Sequence, residues 1–251
     1  WGPSYPGWHI ECSVMSQKYL GEVFDIHTGG IDLIPTHHEN EIAQSKGMCG
    51  KIPANYWMHG EFLLINGGKM SKSLGNVYLL QDIVDRGYDP LVYKLFCYSI
   101  QYRKKLNFTW EGMDSAKIAL DRLRESYQKH LNGTEDVAEE LISKYEKDFN
   151  EAINDDLNMP VAMSVVWEVA KRTEKSKKLA ELLKKFDEVL GIKIDECKKE
   201  EIPDDIKELL TKRAEARKNK DWAESDKIRD IIKEKGYIVK DSKEGQTVEK
   251  L

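Results

Sequence analysis

The sequence has no run of about 18 apolar residues, so no membrane-spanning helix and no membrane partner is expected. It also lacks an excess of positive charge. Its 39 Lys and Arg stand against 44 Asp and Glu, for a formal net charge of -5. That excludes a protein that is basic all over, although a local basic face is enough to contact phosphates. Cysteine is scarce: Cys12, Cys49, Cys97 and Cys197 are widely spaced, with no Cys-x-x-Cys pair. A disulfide framework is not expected at this density, and reduced thiols in a cytoplasmic protein are. There is no internal repeat. The first residue is Trp1, and no basic-then-apolar leader follows it. The chain therefore reads as having no signal peptide, and as a fragment or processed piece.

What is present changes character near residue 60 and again near residue 120. Residues 1–60 are rich in Gly, Pro, His and aromatics, a composition that suits loops around a site. Residues 61–65 read as a short buried strand, and residues 66–76, with several Gly, Ser and Lys, as a mobile loop. Helices are expected afterwards. Asp89-Pro90 supplies an N-cap and a first-turn proline for a helix through about Ile100. Helical apolar spacing covers residues 113–131 and 135–153, separated by Asn132-Gly133. Pro160 opens a further helix, and Gly191 closes the last of the group. The basic stretch from Lys171 to Lys185 reads as a solvated helix face or as an RNA contact. Residues 195–204 look like a linker. Beyond them lies a helical hairpin with Asp204 and Asp221 at its N-caps and Gly236 at its end, then a short strand over 237–240. The fold class is thus α/β followed by all-α modules.

Two motifs carry chemistry. Lys69-Met70-Ser71-Lys72-Ser73, followed by Leu74-Gly75-Asn76, puts two ammonium groups three residues apart on a glycine-flanked loop. Lysine is a compact cation on a long stem, and such a pair suits the negative charge that builds on a triphosphate in a transition state. The alternative is a solvated basic turn. The second motif is Thr36-His37-His38-Glu39-Asn40-Glu41. Thr36 and Glu39 fit a capping box, so a helix is expected to begin at Thr36. His37 and Glu41 then share one face. With Cys12 from upstream they offer N, O and S ligands, a set that suits zinc. The alternative is a surface His–Glu hydrogen bond beside a core cysteine.

The exact strings resemble one family. Lys69–Ser73 matches the lysine signature of class I aminoacyl-tRNA synthetases. Pro6-Gly7-Trp8-His9-Ile10-Glu11-Cys12, the run Asp25-Ile26-His27-x-Gly29-Gly30-x-Asp32-Leu33, and His37-His38-Glu39-Asn40-Glu41-Ile42-Ala43-Gln44-Ser45 match the cysteine–tRNA ligases in content, order and spacing. Asn154–Pro160 and Arg217–Asp226 resemble the family's helical-bundle and anticodon-module strings.

The resemblance implies the C-terminal half of a class I Rossmann-like catalytic domain, then a helical bundle and a small anticodon-binding module. It implies four regions: 1–60 with the zinc site, 61–122 with the lysine loop and a stem-contact helical region, 123–203 as the bundle, and 204–251 as the anticodon module. It implies one zinc held by Cys12, His37 and Glu41, with a fourth ligand from an upstream segment. Lys69 and Lys72 would be catalytic, with Lys72 and the backbone of Gly29 and Gly30 on ATP, which arrives with Mg2+. Trp8 and His27 would line the L-cysteine pocket, with Asp32 holding a neighbouring polar group.

Arg217, Lys218 and Trp222 would contact the cysteine tRNA, against the alternative that Trp222 is a core residue pinning the hairpin. The resemblance further implies a cytoplasmic monomer. No His-x-Gly-His string occurs, so the first half of the nucleotide-binding fold is expected to lie upstream of this sequence. A related expectation keeps a cysteine-activating ligase of thiol biosynthesis, or a non-catalytic RNA- or zinc-binding fragment, as alternatives.

Overall fold

The first sixty residues fold around one parallel β-α-β crossover. In the computed structural model, which describes residues 2–196, 203–242 and 245–250, helix α1 (His9–Leu20) leads into strand β1 (Phe24–Gly30). A 3-10 turn (Ile31–Leu33) and a π-helical turn (Ile34–His38) then feed helix α2 (Glu39–Cys49) and strand β2 (Ala54–Gly60). The two strands pair in parallel from Phe24↔Ala54 to Gly30↔Gly60. Gly50, at φ 74°, supplies the left-handed residue that ends α2, its N–H donating to Lys46 O at 3.0 Å.

The helix expected to start at Thr36 does not. Thr36 lies inside the π turn, α2 begins at Glu39, and no side chain caps it. The reason is local: the preceding turns already supply carbonyls to the N–H groups that a capping side chain would otherwise satisfy.

The segment expected to be a loop over 66–76 is in good part regular. Asn66 and Gly67 both take positive φ (49° and 78°), the signature of a two-residue type I′ hairpin. It joins β3 (Leu63–Ile65) to β4 (Gly68–Lys69). A 3-10 turn over Lys72–Leu74 follows. After α3 (Leu80–Asp85), Asp89 caps α4 (Pro90–Cys97) by accepting from Leu91 N–H at 3.0 Å, as the sequence indicates. Strand β5 (Leu106–Phe108) pairs in parallel with β3.

The helical bundle holds the main core. Thr109 caps α5 (Trp110–Leu131), against which α7 (Met159–Ala170) and α8 (Lys177–Leu190) pack, and α6 (Glu139–Asn154) packs on α7 and α8. Met113, Leu120 and Leu123 recur at helical spacing and are fully buried with Phe149, Val166, Leu179 and Leu183. Phe149 and Phe186 stack at 4.1 Å. Gly133 is obligatory, because a Cβ there would meet the Lys175 backbone at 2.1 Å. Gly191, at φ 57°, ends α8 as expected. The basic stretch is largely ion-paired surface: Lys178 bonds Asp136 and Glu139, Lys184 bonds Asp195, and Arg172 bonds Glu174.

Between α6 and α7, Asp156 and Leu157 both take left-handed backbone (φ 51° and 53°) without being glycine. The Asp156 carboxylate accepts from Arg103 Nε at 2.6 Å and from Tyr102 OH at 2.7 Å.

The second unit, from residue 198, contains α9 (Asp204–Lys218), α10 (Trp222–Glu234), β6 (Tyr237–Ser242) and β7 (Gly245–Lys250), the strands antiparallel. Most of the expected linker, residues 197–202, lies outside the described residues. Asp221 caps α10 by accepting from Glu224 N–H at 3.1 Å, and Gly236 follows the helix end at φ 84°. Asp204 does not cap α9. It is the first helical residue, after Pro203, and no side chain caps that helix. The small core is Ile228, Ile232 and Val239 with Leu209 and Leu210. Beside it Arg213, 2 % exposed, makes a bidentate pair with Asp241 at 2.9 and 3.0 Å and donates to Gln246 at 2.7 Å.

Removing the Asp241 charge should destabilise this unit, because it strands a buried guanidinium. We expect Asp241→Asn to cost about 2–3 kcal/mol, below the ~3–5 kcal/mol of a fully buried pair because Asp241 is itself 38 % exposed. Hydrogen bonds from Arg213, seconded by Arg217, hold the Asp241 carboxyl down to about 2. A depressed folded-state value means stability that is complete above the ordinary carboxylate value of about 3.9 and lost as pH falls toward about 2. Hydrogen exchange of α9 and β6 amides between pH 4 and pH 2 should show that loss in the parent and a flatter profile in the variant.

Candidate functional site

The crossover brings ligating side chains together from four elements. Cys12 comes from α1, His27 from β1, His37 and His38 from the π turn, and Glu41 from the first turn of α2. Cys12 Sγ, a His37 ring nitrogen and a Glu41 oxygen lie within 4.8 Å of one another. His37 Nε2 stands 3.8 Å from Glu41 Oε2. A second triad, His27–His38–Glu41, meets the same 4.8 Å limit and shares the carboxylate. His37, His38 and Glu41 are all buried.

The rings around this carboxylate are held from outside. His9 Nδ1 and His37 Nδ1 are 2.6 Å apart, so one donates to the other and His37 Nε2 is left facing Glu41. Trp8 stacks on His37 at 3.6 Å and 16°. His38 Nδ1 and His59 Nε2 share a hydrogen bond of 2.8 Å, and Trp57 lies 5.0 Å from the His38 ring. Five of the six histidines of the chain, all but His130, thus line one cluster, a concentration that a surface His–Glu pair would not need.

Electrostatics favour a cation. Burial lowers the pKa of His37, His38 and His59, with His38 brought to about 4, so these imidazoles are neutral near pH 7 and keep lone pairs for a metal. Burial, and then the Glu41 and Glu11 carboxylates, push the Cys12 thiol up. A thiol so placed becomes a thiolate when a cation supplies the opposing field. Sulfur, nitrogen and oxygen donors at this separation fit zinc with one position left over.

Gly29 and Gly30 are explained by their own neighbours. A Cβ on Gly29 would sit 2.6 Å from His38 Cε1, and one on Gly30 would sit 2.4 Å from Asp32 Oδ1. The strand therefore approaches the imidazole and the carboxylate as no larger residue would permit.

The lysine loop is braced by one residue. Asn76 Oδ1 accepts from Ser71 N–H at 2.8 Å, and Asn76 Nδ2 donates to Lys69 O at 3.0 Å. Ser71 caps the 3-10 turn, its Oγ accepting from Leu74 N–H at 3.3 Å and lying 2.9 Å from Ser73 Oγ. Met70 packs against the main core while Lys69 and Lys72 are exposed, and neither lysine has an ion-pair partner among the described residues. In the second unit Trp222 is 58 % exposed, with the Arg217 guanidinium 6.0 Å from its ring centre, so it is not the core tryptophan considered above. Arg217 also pairs with Asp241 at 2.6 Å, and Lys218 is exposed. Sequence reasoning missed His9, His38, His59 and Asn76. His38 stands beside His37 in the quoted string and Asn76 ends the quoted loop, but only the fold assigns them partners.

The lysine loop follows the parallel crossover in the chain, and comparison with known proteins places both in one family. Residues 1–118 match the family described as the tRNA synthetases class I (C) catalytic domain, residues 148–195 the DALR domain, and residues 199–248 the cysteinyl-tRNA ligase anticodon binding domain. The chain is 44% identical over 249 residues to cysteine–tRNA ligase 1 of Burkholderia lata, covering 98% of this chain and 52% of that protein. It is 42% identical over 265 residues to the cysteine–tRNA ligase of Bacillus cereus, covering 98% and 56%. Among solved structures, a LeuRS from Agrobacterium radiobacter K84 in a ternary complex with tRNA and LeuAMS superposes with a TM-score of 0.54 at 15% identity, over 69% of this chain and 28% of that one, a likeness of fold alone. The chain belongs to the cysteine–tRNA ligase family. It spans about half the length of the curated relatives it matches.

The tight contact at Gly29 makes a paired test. Gly29→Ala should lose about 1–3 kcal/mol in urea unfolding, the range for an overpacked site. Gly47→Ala, where nothing lies within 4 Å of the new Cβ, should be neutral or slightly stabilising.

Proposed function

We propose that the intact protein containing this chain ligates L-cysteine to its tRNA, and that Cys12, His37 and Glu41 hold the zinc that recognises the substrate thiol. The observation that carries this reading is the convergence of sulfur, nitrogen and oxygen donors within 4.8 Å in a buried site. Bound there, zinc would prefer a soft thiolate to a hydroxyl and so separate cysteine from serine, which size alone discriminates weakly. The chain's own residues do the rest of the selection. Trp8 and His27 wall the amino-acid pocket.

In the first step the cysteine carboxylate attacks the α-phosphorus of ATP, and the bond to pyrophosphate breaks. Lys72 and Lys69 meet the charge that develops on the leaving phosphates, with Mg2+ accompanying the nucleotide. Gly29 and Gly30 let the backbone approach the adenosine. In the second step a terminal ribose hydroxyl of the tRNA attacks the activated carbonyl and AMP leaves. Residues 123–203 act as a bundle beside the catalytic part, and 204–251 read the anticodon, with Trp222 stacking on a base and Arg217 and Lys218 on phosphates. The anticodon-type unit favours tRNA over a small amine as acceptor. A fourth ligand, a monomeric state and a cytoplasmic location belong to the same reading. Among the described residues no helix is long and apolar enough to cross a membrane.

Two measurements on the full-length enzyme test it. His37→Ala should lower zinc content, raise the cysteine KM and shrink cysteine-over-serine selectivity, each tenfold corresponding to about 1.4 kcal/mol. Full zinc with unchanged selectivity would remove His37 from the site. Lys72→Ala should cut the kcat of cysteine-dependent ATP–pyrophosphate exchange by about 10²-fold or more with little change in cysteine KM. A rise in cysteine KM alone would give the lysine another role.

A further inference from the structure

Glu41 sits at the junction of two overlapping triads, and the distances separate them. Two ligands of a tetrahedral ion, each about 2.05 Å from it, stand about 3.3 Å apart. His37 Nε2 at 3.8 Å from Glu41 Oε2 can close to that spacing around an ion by a small shift. His27 Nε2 at 2.8 Å from the same oxygen is at hydrogen-bond distance instead. Because a carboxylate only accepts, the Nε2–H of His27 is the donor.

The His27 ring is placed to hold this contact. It stands on β1 at the register position opposite Trp57 on β2. Phe24 meets its edge at 5.5 Å, Trp57 lies T-shaped at 4.7 Å, and His38 is tilted against it at 4.7 Å. Aromatic rings from both strands and the π turn therefore fix the imidazole plane. Glu41, 2 % exposed, has this one hydrogen bond among the described residues. A buried carboxylate without it would be free to rotate away from Cys12 and His37.

We infer that His27 is a positioning residue for the metal centre: its Nε2–H anchors Glu41 Oε2, so that the Glu41 carboxylate faces Cys12 and His37, and His27 is not itself a ligand. The inference rests on the zinc reading proposed above and adds to it, since that reading gave His27 only a place in the amino-acid pocket. Outer-shell partners of this kind govern metal affinity, typically by 10–100-fold.

The test is metal binding by the 251-residue chain, read without catalysis. Zn2+ affinity is measured by chelator competition, and Co2+ serves as a spectroscopic probe whose thiolate-to-metal charge-transfer band reports on Cys12. Parent, His27→Ala, His27→Gln and Cys12→Ser are compared. We expect His27→Ala to weaken Zn2+ binding about 10–100-fold while the Co2+–thiolate band persists at saturation. His27→Gln, whose amide can still donate, should recover much of the loss. Cys12→Ser should abolish the band. Unchanged affinity in His27→Ala, with the band lost in Cys12→Ser, overturns the positioning role and leaves the zinc reading standing. Loss of the band in His27→Ala without rescue by His27→Gln also overturns it, because a ligand or a purely structural residue behaves that way. A Cys12→Ser variant that binds Co2+ with the parent's spectrum overturns the zinc reading, and the inference with it.

Discussion

Glu41 imposes the constraint on which the first sixty residues depend. A carboxylate removed from water is costly unless charge or hydrogen bonds compensate it. At 2 % exposure Glu41 has a hydrogen bond from His27 and two further imidazole nitrogens within 3.9 Å. Each of those imidazoles is in turn held by a neighbour: His27 by Trp57 across the strand pair, His37 by His9 and Trp8, His38 by His59 and by the missing side chain of Gly29. The parallel register of β1 and β2 puts His27 opposite Trp57 and Gly29 opposite His59. A one-residue slip of either strand would turn that strand's histidine to the other face of the sheet, away from the cluster.

The lysine loop solves a different problem. Lys69 and Lys72 are exposed and unpaired among the described residues, unlike Lys178 and Lys184 on the bundle surface, which is what the proposed contact with ATP's phosphates would require. Order is supplied below them. Met70 packs against the core, and Asn76 ties Ser71 N–H to Lys69 O. A loop fixed at its backbone and free at its side chains can offer positive charge with little of the reorganisation a wholly mobile segment would need.

Much of this was legible in the sequence, and the failures share a cause. Helix ends marked by one strong residue were readable: Asp89-Pro90, Asp221 and Gly191 act where they stand. The spacing of His37 and Glu41 survived although the helix start was misread, because a π turn running into α2 still leaves the two side chains close. Thr36 failed because a capping box says nothing of what precedes it; upstream turns had already met the need. The region 66–76 failed because its glycines suggested mobility, whereas Asn66-Gly67 is a hairpin turn with both residues at positive φ. His9, His59 and Trp57 were not legible as site residues, since their roles exist only once α1, β1 and β2 are side by side.

The bundle is joined to the strands by a similar economy of contacts. Two consecutive non-glycine residues in left-handed backbone, Asp156 and Leu157, cost of order 1–3 kcal/mol each and persist only where surroundings fix them. Leu157 N–H donates back to Ile153 O and Asn158 N–H to Ala152 O, and from one short turn Tyr102 and Arg103 both bond the Asp156 carboxylate. The same Tyr102 accepts through its carbonyl from Glu61 N–H at 2.9 Å, immediately beyond the end of β2. One three-part connection therefore runs from the strand that carries Trp57 and His59 to the turn between α6 and α7. The strained turn is the bundle's handle on the sheet, which gives a physical reason for the Asp-Asp-Leu-Asn string to stand between two helices that glycine could have joined without strain.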